Sequence, residues 1–228
     1  MFLDYYYVIL VLPALLLAMW AQGRVSSTYA KYGRVRSARR IPAQEAARQI
    51  LLDNGLGNIP IQRVRGNLTD HYDPAARVLR LSDSVYGSDS VAALGVAAHE
   101  CGHAIQHAQG YGPLMLRNAI IPVTNFGSKL SIPLILLGLV LGLAPLVQVG
   151  IWMFALMAVF QLVTLPVEFN ASARALATLE RENYLEPSEL RGARKVLQAA
   201  ALTYVAALLV TVMQLLRLVL LFGNRRRD

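Results

Sequence analysis

The sequence predicts a mostly α-helical membrane protein, with about four transmembrane helices and a small α+β domain. Three observations carry that expectation. Only 16% of the 228 residues are charged while 55% are hydrophobic, and the mean hydropathy is +0.43. Ordinary soluble domains carry roughly 25% charged residues, so disorder is excluded and a purely water-soluble fold is disfavoured. Several uncharged runs are long enough to span a bilayer. Between them, residues 42–117 alternate helix-like and strand-like patterns.

The first uncharged run is residues 5–23, with Asp4 before it. It lacks the basic n-region and small-residue cleavage site of a signal peptide, so it is expected to be an uncleaved anchor. Tyr5, Tyr6, Tyr7 and Trp20 suit its two interfaces. Residues 24–41 follow as a basic linker carrying Arg24, Lys31, Arg34, Arg36, Arg39 and Arg40, with no acid until Glu45. Such a flank is expected on the cytoplasmic side, against anionic headgroups.

Residues 42–117 form the expected α+β unit. Pro42 can open a helix that Gln44 to Leu52 continue and Gly55 ends. Ile61 to Arg65 and Arg77 to Leu81 alternate apolar and polar residues and read as strands, with Gly66 to Pro74 as the connection. The second strand suits an edge that would bind an extended substrate by strand addition. Ser88 suits an N-cap, and Ser90 to Gln109 reads as one helix closed by Gly110.

Residues 118–167 carry one charge, Lys129, and are long enough for two spans, with Gly142, Pro145 and Gly150 marking the turn. Residues 168–195 are a polar helical segment broken near Glu186-Pro187-Ser188. Residues 196–228 hold a last apolar run and a basic tail that includes Arg217, Arg225, Arg226 and Arg227. With four spans, 17 of the 22 basic residues fall in the two polar loops, which places those loops in the cytoplasm and leaves the tail against the rule. The formal net charge of +8 fits a membrane surface. Nucleic-acid binding is not expected, because the basic residues lack interleaved aromatic platforms. Cys101, the single cysteine, excludes an internal disulfide and a Cys-rich metal site.

The chemistry is carried by His99-Glu100-Cys101-Gly102-His103, an H-E-x-x-H. Two histidines four apart on a helix lie about 40° apart around the axis and ~6 Å along it, so both can reach one Zn²⁺. Glu100 is placed to act as general base on a water activated by the metal. The third ligand must come from elsewhere. His107 sits ~12 Å beyond His99 along a straight helix. The extended motif that recruits a third histidine would need a glycine where Gln106 stands and a histidine where Gln109 stands. His107 is therefore expected beside the metal shell or on the surface. Glu168 is the better candidate, as a carboxylate at a membrane boundary that is costly without a partner. Glu180 and Glu182 are fallbacks. Cys101 faces away from the metal and is expected to be a small core residue.

Several segments in order resemble the YugP-type membrane zinc metallopeptidases and, more distantly, the HtpX-like and prenylated-protein proteases of the gluzincin group. They are Gly66-Asn67-Leu68-Thr69-Asp70-His71-Tyr72-Asp73-Pro74, Leu79-Arg80-Leu81-Ser82, the run from Ala97 to His107, Tyr111-Gly112-Pro113-Leu114, the run from Leu165 to Ser172, and the run from Ala200 to Ala206. The resemblance spans nearly the whole chain. It implies a gluzincin-like zinc peptidase domain with Zn²⁺ as cofactor. It also implies His99, His103 and Glu168 as ligands and Glu100 as catalytic base. Where HtpX-like enzymes place an aspartate four residues after the ligand glutamate, this chain has Ser172, whose hydroxyl could hold an imidazole without adding charge. His71, Tyr204, Tyr184 and Arg191 are candidates to stabilise an oxyanion. Asp70 to Asp73 reads either as a capping turn or as a lining of the substrate cleft through His71 or Tyr72. The expected function is an integral membrane zinc endopeptidase acting on membrane or misfolded proteins, in a bacterial cell membrane with its site facing the cytoplasm. The alternatives are a zinc-binding scaffold or chaperone without turnover, and a zinc hydrolase of a non-peptide bond.

Overall fold

A computed structural model describes residues 4–223. The basic tail, Arg225 to Arg227, lies outside the described residues. A π-helical turn at Tyr7–Val11 leads into α1 (Leu12–Tyr32). Then come α2 (Ala43–Asp53), β1 (Ile61–Val64), β2 (His71–Asp73), β3 (Val78–Ser82), α3 (Val91–Ala108), α4 (Gly112–Val140), α5 (Ala144–Arg181) and α6 (Pro187–Phe222). Helix α1 runs past Gly23 to Tyr32, so the first part of the basic linker is helical.

The helices from Tyr7, α4, α5 and α6 are each long and apolar enough to cross a membrane. The chain divides into two compact units: Met1–Ala21 with Met115–Leu165 and Leu202–Asp228, and Gln22–Leu114 with Pro166–Ala201.

In the first unit a small apolar cluster joins Ile135 of α4, Val147, Ile151 and Phe154 of α5, and Leu218 of α6. A β-carbon at Gly150 would stand 2.8 Å from the Ser131 carbonyl oxygen and 3.1 Å from the Ile135 nitrogen. Small residues are what let apolar helices approach this closely. The chain turns between α4 and α5 at Gly142, whose φ of 67° suits glycine. Asp4 accepts from the Tyr7 backbone N–H at 2.9 Å and from Arg217 Nε at 2.9 Å, and the Arg217 guanidinium lies over the Tyr7 ring. This pair answers the cost of a charge among apolar helices.

The second unit holds the mixed α/β part. On α2, Ala43, Ala46, Ala47, Ile50 and Leu51 are buried, a spacing that faces one side of a helix. The sheet order is β1-β3-β2, with β1 parallel and β2 antiparallel to β3. Two readings of the sequence are corrected here. The connection expected at Gly66 to Pro74 contains β2, paired Tyr72 opposite Leu79. The strand expected as a substrate-binding edge is β3, which is central because β2 covers its other side. Its Val78, Leu79, Leu81 and Ser82 are accordingly buried. Asp70 locks the β2 approach, accepting from the Ser82 N–H at 2.7 Å and the Ser82 hydroxyl at 2.9 Å.

The N-cap of α3 is Ser90, whose hydroxyl accepts from the Ala93 N–H, rather than Ser88. Ser88 instead takes the Ser90 N–H at 3.2 Å and hands its own hydroxyl proton to the Ser90 oxygen at 3.0 Å. Gly110, at φ 62°, closes the helix. Helix α3 is buried on nearly all sides by Ala, Gly, Leu and Val, and Cys101 among them offers its thiol to the Ala47 carbonyl at 3.6 Å. Complete burial, with Glu100 adding to it, pushes that thiol far above its ordinary pKa, as a structural cysteine requires.

Helices α3 and α5 meet backbone to backbone at Gly102. A β-carbon there would lie 2.9 Å from the Ala171 oxygen and 3.2 Å from its Cα. Gly102→Ala should therefore force the two helices apart and lower unfolding stability by about 1–3 kcal/mol. Gly95→Ala, where the added carbon would meet Ala193 at ordinary contact distances, 3.4 Å from its Cβ and 3.7 Å from its Cα, should cost far less. Chemical denaturation of both variants in detergent checks the contrast.

Candidate metal centre

One turn of α3 presents His99 and His103 side by side, their ring centroids 4.7 Å apart and nearly perpendicular. Across the Gly102–Ala171 contact, α5 supplies Glu168, which is almost wholly buried. Pro166, two residues before it, removes one donor from the ladder of α5. Glu168 Oε2 lies 3.3 Å from His99 Nε2 and 3.7 Å from His103 Nε2, and one donor atom from each of the three residues falls within 4.8 Å of the others. Donors at ~2.0–2.1 Å in a tetrahedral shell are about 3.3–3.4 Å apart, so this set could hold a zinc ion with little movement.

The far sides of the rings are also held. His103 Nδ1 is 3.0 Å from Gln106 Oε1. Gln106 is fully buried, and its Nε2 donates to the Val167 carbonyl at 2.9 Å and to Asn170 Oδ1 at 2.9 Å. A backbone carbonyl can only accept, so the amide of Gln106 is oriented with its oxygen toward the imidazole. That oxygen must accept, which puts a proton on His103 Nδ1, so that in the neutral ring the lone pair is on Nε2, facing Glu168. Ser172 Oγ stands 3.1 Å from His99 Nδ1 and can play the same part there. Arg174 completes the shell, donating through Nε to Asn170 Oδ1 at 2.7 Å and through a terminal nitrogen to Gln109 at 2.8 Å.

Glu100 points to the other side of the cluster, where its Oε2 accepts the backbone N–H of Tyr72 at 2.9 Å. Strand β2 thus touches the H-E-x-x-H helix directly. The Tyr72 hydroxyl reaches His107 Nδ1 at 2.9 Å, so His107 serves β2 and is no member of the three-donor cluster.

Other residues singled out in the sequence lie elsewhere. His71 is exposed, with Nδ1 2.8 Å from the Thr69 carbonyl and Nε2 3.4 Å from Arg80. Tyr184 is buried in the hydrophobic core beneath the Arg39 guanidinium. Arg191 is exposed on α6, and Tyr204 belongs to the part of α6 in the other compact unit. Glu182 pairs with Arg181, and neither it nor Glu180 joins the cluster. Sequence reasoning missed Gln106 and Asn170. For Gln106 the available signal was position, three residues after His103 on the same helical face; Asn170, two residues after Glu168, carried no such signal.

Replacing Gln106 by Leu removes the acceptor that fixes the His103 tautomer. Zinc affinity should fall by about 10- to 100-fold, and Gln106→Glu should not restore it, because a carboxylate keeps the acceptor for His103 but cannot donate to the Val167 carbonyl or to Asn170 Oδ1. Competition with a chromophoric chelator measures both.

The residues that converge here coincide with a known pattern. A family model described as "Putative neutral zinc metallopeptidase" matches residues 7–223. The chain is 49% identical over 222 residues, 97% of its length and 99% of the relative's, to the Bacillus subtilis (strain 168) protein named "Putative membrane protease YugP". No solved structure matches the chain. Four apolar helices and a His-His-Glu donor set fit a membrane-bound zinc protein. By a match over nearly its whole length, the chain belongs to this neutral zinc metallopeptidase family, whose metal is zinc.

Proposed function

We propose that this protein is an integral membrane zinc endopeptidase that hydrolyses peptide bonds of membrane or misfolded proteins, with its site on the cytoplasmic side of a bacterial cell membrane. The observation that carries the reading is the pairing of a three-donor cluster with a fourth, separate carboxylate. His99, His103 and Glu168 are the proposed ligands. Glu100 is left over, beside them on α3 but outside the cluster. A structural metal site has no use for such a base, which argues against a scaffold role.

Zinc held by the three donors would supply Lewis acidity, polarising the scissile carbonyl and bringing the pKa of water toward about 7. The remaining work falls to the chain. Glu100 takes the water proton and passes it to the leaving amine nitrogen. The Tyr72 N–H holds one Glu100 oxygen and leaves the other for the proton. Gln106 and Ser172 keep the imidazoles in the tautomer that ligates. The excess of basic residues in the loops that contain the site supports the cytoplasmic side.

Full-length protein and Glu100→Gln, purified in detergent, should each hold zinc near one ion per chain. A labelled unfolded protein should be cleaved by the wild type, with the rate falling at least about 10²-fold in the variant. Zinc in both without cleavage of protein, peptide or unfolded substrate would contradict the reading.

A further inference from the structure

Beside Glu100 lies a cavity of about 270 Å³ that the proposed chemistry does not use. Its apolar wall includes Leu56, Ile59 and Ala104; its polar wall is Asn58, Tyr72, Arg77 and His107. Ala104 and His107 follow Glu100 by four and seven residues on α3, so they continue the face that carries it. Tyr72 belongs to both places: its backbone N–H binds Glu100 and its ring lines the cavity. Ala104 is about 6 Å along the helix from Glu100, and same-face side chains of an extended peptide are about 6.6 Å apart. A peptide whose cleaved bond lies at Glu100 and that runs along α3 would bring a side chain within two residues of that bond to this cavity.

The charges define which side chain. No acidic residue lines the cavity. Arg77 has no ion-pair partner among the described residues. Asp73, four residues earlier, is already occupied by Arg80 at 2.7 Å and by the Ala75 and Ala76 N–H groups at 3.0 Å. Arg77 also holds φ 50°, a left-handed position uncommon for arginine, at the turn into β3. The volume equals about nine waters at ~30 Å³ each, room for a five-atom side chain and its remaining solvent.

We propose that this cavity seats a glutamate side chain of the substrate close to the cleaved bond, its methylenes against Leu56, Ile59 and Ala104 and its carboxylate on Arg77. What enters the cavity rests on the peptidase reading above, and the test separates the two.

The zinc-loaded, full-length protein is given a quenched-fluorescent peptide series with Glu, Gln or Lys at each position flanking the cleaved bond. At one position Glu should exceed Lys in kcat/KM by about tenfold or more, with Gln between. Arg77→Asn should flatten that preference and Arg77→Asp should invert it; both residues tolerate the left-handed backbone. Anisotropy titrations of the same peptides on Glu100→Gln, with and without Arg77→Asp, should give the same order without turnover. Cleavage with no preference, or a preference that Arg77→Asp leaves intact, overturns the subsite and spares the peptidase. Ordered binding without cleavage by the wild type overturns the peptidase and keeps the subsite. Neither binding nor cleavage overturns both.

Discussion

The close approach of α3 and α5 at Gly102 and Ala171 is the constraint on which the site depends. Two histidines four apart are a local property of one helix. A third donor from a residue 65 positions beyond His103 is not, and it needs the second helix at backbone distance. Gly102, lying between Glu100 and His103 in the motif, supplies that distance. Had any side chain stood there, Glu168 would be held away from both imidazoles.

Once the helices touch, the electrostatics must be balanced. Glu168 is a nearly buried carboxylate, and an isolated buried charge is costly enough that proteins pair it or give it a metal. The imidazoles at 3.3 and 3.7 Å offer their Nε2 atoms toward it, and the buried amide of Gln106 fixes the tautomer of one of them. With the rings neutral, lone pairs and one negative charge facing a common point make a set of donors suited to a cation. The surrounding shell of Val167, Asn170, Ser172 and Arg174 comes from the same two turns of α5 as Glu168. The carboxylate and its support therefore arrive together.

Legibility in the sequence followed the range of each interaction. The H-E-x-x-H helix was readable because its spacing is local, and the apolar spans because composition over about 20 residues suffices. Strands β1 and β3 form where strands were expected, although the alternation read from the sequence is not their burial pattern: Gln62 and Arg63 are both exposed in β1, and Val78, Leu79, Leu81 and Ser82 are all buried in β3. Strand β2 was not expected, since His71-Tyr72-Asp73 is short and polar, and what makes it a strand is the partner β3 and the hold of Glu100 on its backbone. The exchange of Ser88 for Ser90 as the cap reflects two good capping residues two apart, where the hydrogen bond to Ala93 decides. Glu168 was indicated by its place at the end of an apolar run and by family resemblance. The spacing of Gln106 from His103 was a local signal, but its hold on α5 was not legible, because those contacts lie 61 and 64 residues away.

The function proposed for this site depends most directly on the identity of the proposed metal ligands. X-ray absorption at the zinc edge of the purified protein measures them. Two imidazole nitrogens with oxygen donors at ~2.0–2.2 Å are expected, with Glu168→Ala losing zinc while retaining its helical content. A sulfur shell, a third imidazole, or an unchanged spectrum and zinc content in Glu168→Ala would contradict it.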